Sequence, residues 1–375
     1  MTFTAGAILS FLVAFQMSFM SLYLFTHKKG NRRNNRLMAL ICLMFALNMT
    51  DFALRMGGLT FPLASLHLLD DCFFFLYGPL IYFYTQGVVY ADFTFKGRDA
   101  LHLIPFLIVF AVFVAHMLST DPMVQQEFAN QLFLGGLPGW VSVLSLTIYA
   151  DILLYLFFSW RTLRSYQAVL KDSYSAIHGI NLDWLRFMIR TFFGITLIGM
   201  INSFVPVFHN LVFLFASVIV LLLLSFYFSN LVLVKALNQP AIFSGIRKEE
   251  TVKYALSNLA PEQLERYKRE LLLLMEEDRL FLDPELKSTD LAGELGISVK
   301  TLSQVVNQGF DRNFFDFVNS FRCEEVKRIL RGPDRQITIL EAMFASGFNS
   351  KSSFNKEFKK LTGQTPSEYK KSIVR

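Results

Sequence analysis

The stretch ILEAMFASGFNSKSSFNKEFKKLTGQTPSEY, residues 339–369, is the most informative part of the C-terminal sequence. It has the layout of a helix-turn-helix that ends in a docked C-terminal helix. Gly347 supplies the turn, and the following helix, about 350–361, is charged and rich in Ser and Asn. Such a helix fits neither a lipid bilayer nor a protein core, so we predict that one of its faces is exposed.

A second stretch of the same kind lies upstream, TDLAGELGISVKTLSQVVNQ at residues 289–308. It predicts a helix at about 290–295, a turn at Gly296 and a second helix at about 299–307 that Ser298 caps. A longer helix with an apolar stripe, about 313–330, follows it. Residues 285–375 are therefore predicted to form two helix-turn-helices joined by a long helix.

This arrangement resembles the AraC/XylS family of transcription regulators over about 285–372. The second half carries the resemblance in Gly347-Phe348, Ser350, Ser353-Phe354, Phe358-Lys359-Lys360, Gly363, Thr365-Pro366 and Tyr369, and the first half in Leu291-Ala292, Ile297-Ser298, Leu302-Ser303, Asn319 and Arg322. The chain departs from the family pattern at Ala342-Met343, where Ile-Ala is usual, and at Ala345, where an acid is common. We therefore expect a changed crossing angle between those helices. More loosely, the whole chain is similar to the bacterial subgroup whose N-terminal half spans a membrane several times.

The resemblance implies that the second helix of each pair enters the major groove of double-stranded DNA. We predict base contacts from Lys300, Thr301, Ser303, Gln304 and Asn307 in the first helix-turn-helix and from Lys351, Ser352, Asn355 and Lys356 in the second. Lys359, Lys360, Lys370 and Lys371 are expected to neutralise phosphates. Lys and Arg outnumber Asp and Glu by 15 to 10 over residues 287–375, which suits a polyanion. The alternative for each lysine is a solvated surface charge.

The front of the chain is mostly apolar. Hydrophobic residues make up 53% of the 375 residues and the mean hydropathy is +0.40, so membrane spans are expected. Apolar runs of spanning length occur at about 4–26, 37–56, 63–90, 100–118, 139–160, 185–204 and 208–231. The first run lacks the basic stretch and the cleavage pattern of a secretory signal, so we expect it to be retained.

The connecting loops predict the orientation of these seven spans. Loops 28–36, 91–99 and 161–184 carry Lys and Arg, whereas the alternate connections 57–62, 119–138 and 205–207 hold neither. By the positive-inside rule the first set is cytoplasmic, which places the N-terminus outside and the C-terminus in the cytoplasm. An odd number of spans leads independently to a cytoplasmic DNA-binding tail. The predicted location is the bacterial inner membrane.

Six polar residues of the membrane half are candidates for a ligand site: Asp51, Arg55, His67, Asp70, Asp71 and Asp151. Asp51 and Arg55 stand four residues apart and can pair on one helix face. The alternative is a set of satisfied structural pairs and interfacial residues. Asp151 lies well inside the fifth run, so it can equally be hydrogen-bonded within the bundle.

The predicted fold class is all-α in three parts: a seven-helix bundle (1–234), a linker with an amphipathic helix (235–284) and the DNA-binding domain (285–375). The apolar stripe of the linker helix, within 261–278, suits packing on that domain or on a partner, so a homodimer stays open. Cys42, Cys72 and Cys323 lack the spacing of a disulfide framework or metal site, and we read them as buried thiols. No phosphate loop, metal motif or catalytic signature occurs, so we expect neither a cofactor nor an enzyme.

The leading hypothesis is a membrane-embedded, one-component transcription regulator. Its bundle would sense a small molecule, a lipid or a protein, and residues 235–286 would pass the signal to two DNA-reading helices. One rival is a receptor-like membrane protein whose cytoplasmic tail binds a protein partner. The other is a transporter or membrane enzyme with a regulatory tail, which would need a polar path through the bundle.

Overall fold

The computed structural model describes residues 4–28, 31–57, 70–121, 123–125, 127, 139–177, 180, 182–203, 211–237, 259–332 and 337–374. These residues are mostly helical and contain no extended strand, which confirms the predicted all-α class. The chain divides into two compact units. One comprises Met1–Leu163 with Asp183–Arg247, and the other comprises Arg164–Leu182 with Lys248–Arg375.

The first unit is a bundle of apolar helices. It contains α1 (Ala5–Thr26), α2 (Arg32–Met56), α3 (Phe74–Val89), α4 (Ile104–Ser119), the first part of α5 (Gly139–Ser173), α6 (Asp183–Asn202) and α7 (Leu211–Leu237). Hydroxyl groups tie α1 to its neighbours: Ser21 donates to the Ala39 carbonyl of α2 at 2.8 Å, and Ser229 of α7 donates to Gln16 Oε1 at 2.6 Å. These bonds satisfy polar groups inside an otherwise apolar bundle.

Six helical stretches among the described residues are long and apolar enough to cross a membrane, judged by length and composition. They are Ala5–Thr26, Arg32–Met56, Asp70–Val89, Gly97–Ser119, Val143–Ser173 and Asp183–Ile201. They coincide with the first six predicted runs. The seventh run lies in α7, where side chains are described over residues 216–231 alone, so the count of seven stays a prediction.

The outer faces of this bundle are apolar. Phe15 of α1 is 73% exposed, Val112 of α4 is 63% exposed and Leu118 of the same helix is 79% exposed. A soluble protein seldom shows so many large apolar side chains along its helices, because each costs free energy in water. The bundle therefore has the surface that a lipid environment or a partner would cover.

Two predicted loops are shorter in the structure. The basic loop 28–36 ends early, because α2 begins at Arg32 with the Asn31 side chain accepting from the Arg33 N–H at 3.0 Å. The prediction of a loop over 161–184 is also wrong for its first half, since α5 continues to Ser173. That segment contains no Gly or Pro, and most of its residues are good helix formers, so nothing stops the helix where its apolar run ends.

The second unit contains the predicted tandem helix-turn-helix. Its helices are α8 (Pro261–Glu276), α9 (Ser288–Glu294), α10 (Val299–Phe310), α11 (Phe314–Arg331), α12 (Ile339–Ala345), α13 (Lys351–Thr362) and α14 (Pro366–Val374). Part of the predicted linker, residues 238–258, lies outside the described residues. The linker helix itself is α8, and its Leu271 and Met275 are fully buried against the first helix-turn-helix.

Two small apolar cores organise this unit. The first gathers Leu302 of α10 and Phe317 of α11, whereas the second gathers Val326 of α11 with Phe354 and Phe358 of α13. Helix α11 contributes to both cores, so the two helix-turn-helices pack on the same helix. The unusual pair Ala342-Met343 is buried in the second core, where α12 remains a regular helix.

Candidate DNA interface

The two helix-turn-helices use the same backbone turn. Gly296 has φ +61° and Gly347 has φ +87°, a region that favours glycine. In the first turn the Ile297 N–H donates to the Ala292 carbonyl at 3.0 Å, and in the second the Phe348 N–H donates to the Met343 carbonyl at 3.2 Å. Together with a second bond from each glycine N–H, this is the Schellman ending of a helix. It redirects the chain into the second helix of each pair.

Serine caps begin both second helices, and the cap at Ser298 was predicted. The Ser298 hydroxyl accepts from the Thr301 N–H at 3.0 Å, and the Ser350 hydroxyl accepts from the Ser353 N–H at 3.4 Å. Each cap satisfies a backbone donor at a helix N-terminus. These N-termini are the ends that approach base edges in helix-turn-helix proteins.

Helix α10 presents its polar residues unevenly. Lys300, Thr301 and Gln304 are partly exposed and Asn307 is exposed, but Ser303 is 6% exposed. The Ser303 hydroxyl accepts a hydrogen bond from Asn307 Nδ2 at 3.2 Å. Ser303 therefore faces the domain interior, next to the core residues Leu302 and Val306, and lies away from the exposed face of α10.

Helix α13 separates an apolar face from a polar one. Phe354 and Phe358 are buried, whereas the four residues predicted to reach bases, Lys351, Ser352, Asn355 and Lys356, are all exposed. Their side chains are spaced as one helical face. The helix can therefore pack on its domain and offer donors and positive charge on its outer side.

The lysines assigned to phosphates differ in their surroundings. Lys359 and Lys371 are exposed, whereas Lys370 Nζ donates to the Ile337 carbonyl at 2.5 Å. Lys360 is half-exposed, and its Nζ lies 2.8 Å from Asp316 Oδ1 and 3.7 Å from Glu357 Oε2. Partial burial opposes the charge of Lys360, but these carboxylates outweigh it and raise the pKa of its ammonium.

Sequence reasoning missed the partners of Lys360. Asp316 stands 44 residues earlier, on α11. Pairs so far apart in sequence follow from the packing of α11 on α13, which no local pattern specifies. The consequence is that Lys360 pins α13 to α11, in addition to any contact that it makes with a phosphate.

Buried polar residues of α11 join the two helix-turn-helices. Arg322 is 1% exposed, and its guanidinium donates to the Phe281 carbonyl at 2.8 Å and to the Asp283 carbonyl at 2.6 Å. Its Cζ lies 5.9 Å from the centre of the Phe348 ring, beside the second turn. Burial lowers the pKa of Arg322 to about 10, so the side chain stays charged at neutral pH. Arg322 thus acts from inside the domain, away from the exposed polar faces of α10 and α13.

An acidic side chain one turn further along α11 binds two arginines. Glu325 is 8% exposed, and it pairs with Arg328 of the same helix at 2.7 Å and with Arg279, which precedes the first helix-turn-helix. The hydrogen bond from Arg328 is the largest of the effects that lower the pKa of Glu325. This cluster ties the turn before α9 to the middle of α11.

The candidate ligand residues of the N-terminal half fall into separate groups. Arg55 Nε lies 2.7 Å from Asp51 Oδ2, as its spacing predicts, and Arg55 Nη2 lies 3.8 Å from Asp71 Oδ2. Asp70 accepts a hydrogen bond from Asn48 at 2.6 Å. Such contacts are what satisfied structural pairs would show. His67 lies outside the described residues.

Asp151 lies elsewhere, on α5 against α3. Its Oδ2 would stand 3.1 Å from a Cβ built on Gly78, so the small residue allows α3 to approach this carboxylate. Among the described residues no group of three or more His, Cys, Asp and Glu could hold a metal ion.

Comparison with known proteins bears on the C-terminal part alone. A family model described as a helix-turn-helix domain matches residues 291–372. This match, together with the geometry above, shows that the chain carries an AraC-type helix-turn-helix domain, a DNA-binding regulatory domain, behind a half with several long apolar helices. No curated protein and no solved structure matches the chain.

Proposed function

We propose that this protein is a membrane-embedded transcription regulator of the bacterial inner membrane. Its cytoplasmic tail would bind a specific operator through α10 and α13, under the control of a signal received by the bundle. The observation that carries the proposal is the outer face of α13, the second helix of its pair, where Lys351, Asn355 and Lys356 are exposed. Lysine donors and asparagine amides suit guanine and adenine edges.

Two features support membrane embedding, and a third supports the orientation. Six described helices have the length and composition of spans, and their outer faces carry large apolar side chains. The alternation of basic and non-basic connections supports a cytoplasmic C-terminus. A protease added to intact cells should leave a tag at Arg375 uncut, and cutting from the outside would contradict the orientation.

DNA binding is tested best with the full chain in lipid nanodiscs. An operator is selected from a random pool of duplexes, and binding is then measured across a salt series. The logarithm of the affinity should fall linearly with the logarithm of the salt concentration, with a slope of about −0.9 per phosphate contacted. Binding without salt dependence would instead favour the rival in which the tail docks a protein.

A matched pair of lysine variants locates the interface. Lys351→Ala should weaken binding and flatten the salt slope, since an exposed charge on α13 is lost. Lys327→Ala, on α11, removes a lysine that pairs with Glu324 at 2.6 Å and lies outside both recognition helices, so binding should be unchanged. Equal effects of the two substitutions would contradict the assignment of α13.

A signal at the membrane requires a stimulus that binds one state of the bundle better than another. Candidate small molecules and lipids can be screened by their effect on operator affinity in the nanodisc assay. The affinity of the full chain should change with the correct stimulus.

A further inference from the structure

The segment after α5 packs against the helix-turn-helix part of the second unit, with Ser175 buried in the contact. Tyr174 and Lys287 form an isolated antiparallel β-bridge. The next residue, Ser175, donates its backbone N–H to the Leu286 carbonyl at 3.2 Å and its hydroxyl to the same carbonyl at 2.6 Å. Ser175 is 1% exposed, so the contact is fully desolvated.

Two buried side chains of α11 complete this contact. Arg322 Nη2 donates to the Ser175 hydroxyl oxygen at 3.1 Å, and Arg322 Nη1 donates to the Ser175 carbonyl at 3.3 Å. Asn319 Nδ2 donates to the same carbonyl at 3.2 Å. Every polar group of Ser175 is thereby bonded, which is the arrangement of a structural contact inside a domain.

Ser175 lies at the point where the two helix-turn-helices are joined. Arg322 also holds the carbonyls of Phe281 and Asp283, just before the first helix-turn-helix. At the second turn, a Cβ built on Gly347 would stand 2.6 Å from the same Phe281 carbonyl. The turn of the second helix-turn-helix is therefore in direct contact with the segment that precedes the first. Without Ser175, Arg322 Nη1 would keep its 3.4 Å contact with Asn319 and lose the Ser175 carbonyl. The contact between the two helix-turn-helices, the two DNA readers of the proposed function, would then be less rigid.

We propose that Ser175 is a positioning residue for DNA reading, and that its docking is the place where the membrane half acts on the operator-binding domain. Docked, Ser175 holds Arg322 so that α10 and α13 keep the separation that a two-part operator requires. Helix α5 continues from the fifth predicted span to Ser173, two residues before Ser175, so a shift of that helix pulls directly on the contact. The inference rests on the proposed function and deepens it.

The test compares operators of different spacing, using the full chain in nanodiscs. Recognition helices in successive major grooves need half-sites about 10 base pairs apart, so one inserted base pair should weaken the unsubstituted protein strongly. Ser175→Ala removes two hydrogen bonds of the hydroxyl, from Arg322 Nη2 and to the Leu286 carbonyl, and should bind the intact operator at least about tenfold more weakly. It should also tolerate the inserted base pair better, because its two readers are less firmly spaced.

That second readout separates positioning from general destabilisation. A variant that merely folds less well would weaken binding to both operators by the same factor. Ser173→Ala, the same substitution at a partly exposed serine two residues earlier, should match the unsubstituted protein on both. If Ser175→Ala keeps the full spacing penalty, the inference is overturned.

A disulfide that keeps Ser175 docked tests whether docking favours or opposes operator binding. Residues opposite each other in an antiparallel pair have Cα atoms about 4.5–5.5 Å apart, within the range that a disulfide bridges, so Tyr174→Cys with Lys287→Cys should cross-link. The three native cysteines are buried, and Tyr174→Cys alone is the oxidation control. The locked protein should bind the intact operator as tightly as the unsubstituted one and keep its spacing penalty. Loss of binding on locking would overturn the inference.

The two proposals fail in different ways. If the unsubstituted chain shows no salt-dependent DNA binding, the proposed function falls and this inference falls with it. If the unsubstituted chain binds normally and Ser175→Ala behaves identically to it, the inference alone falls.

Discussion

The two helix-turn-helices of this protein share a backbone plan but differ in charge. Both turn on a glycine of positive φ and both begin their second helix at a serine. Helix α10 has a single charged residue, Lys300, whereas α13 has four lysines and one glutamate. The difference predicts a division of work: α13 would supply most of the attraction for phosphates, and α10 would read bases with neutral side chains such as Gln304.

They also differ in what surrounds them. The first packs against Leu271 and Met275 of α8. Just before α9, the Leu286 carbonyl accepts the hydrogen bond from the Ser175 hydroxyl. The second packs against α11 and the short α14, through Phe358 and Tyr369. The first helix-turn-helix is thus connected to the N-terminal bundle through the chain, and the second carries the stronger charge.

The two turn glycines should give the largest contrast. Gly347→Ala combines left-handed strain with a Cβ 2.6 Å from the Phe281 carbonyl, so the second unit should lose about 4 kcal/mol of stability. Gly296→Ala meets nothing within 4 Å and should cost about 1 kcal/mol, from strain alone. Hydrogen exchange of the α12–α13 and α9–α10 amides in the full chain measures both. Similar losses at the two glycines would show that the turns are not held differently.

The Arg322→Ala substitution tests whether the stabilities of the two helix-turn-helices are coupled. Arg322→Ala strands the carbonyls that it holds, at Phe281, Asp283 and Ser175, so unit stability should fall by about 3 kcal/mol. Exchange should quicken in both helix-turn-helices, because the side chain lies at their join. Arg312→Ala, at an exposed arginine just before α11, is the matched control and should leave exchange nearly unchanged. Faster exchange confined to one reader would contradict the coupling.

Much of the DNA-binding domain follows from sequence, and the reasons are local. Gly296, Gly347, Ser298 and Ser350 act through their own backbone or the next turn, so pattern alone places the helices around them. The first six apolar runs are equally local, since length and composition suffice. Less was predictable at α5, because a helix of good formers continues past the end of its apolar run.

What sequence reasoning missed depends on distant packing. Ser175 lies 147 residues from Arg322, and no periodicity relates the two. The same holds for Lys360 with Asp316. Ser303 was misplaced for a related reason: a serine between the partly exposed Thr301 and Gln304 is predicted to lie on the polar surface, whereas the packing of α10 turns it inward.

Substitutions at the predicted DNA contacts should distinguish residues that attract DNA of any sequence from residues that recognise particular bases. Lys351→Ala should lower affinity for every duplex about tenfold at low salt and reduce the salt slope by about one. Gln304→Ala should leave the slope unchanged and reduce discrimination against a wrong base by about 1–3 kcal/mol. Both are measured by titration of operator and single-mismatch duplexes against the full chain. A changed slope for Gln304→Ala would contradict the division of work between α10 and α13.

The smallest expected effect concerns the two caps. The Ser298 hydroxyl accepts from its backbone donor at 3.0 Å, whereas the Ser350 hydroxyl lies at 3.4 Å from its own. Removing a serine cap costs about 1 kcal/mol, and the longer bond has less to lose. Ser298→Ala should therefore quicken exchange in the first turn of α10 more than Ser350→Ala does in α13. The reverse order would mean that the second reader, although more charged and more exposed, depends more on its cap, and that the lysines of α13 repel one another enough for the helix to need it.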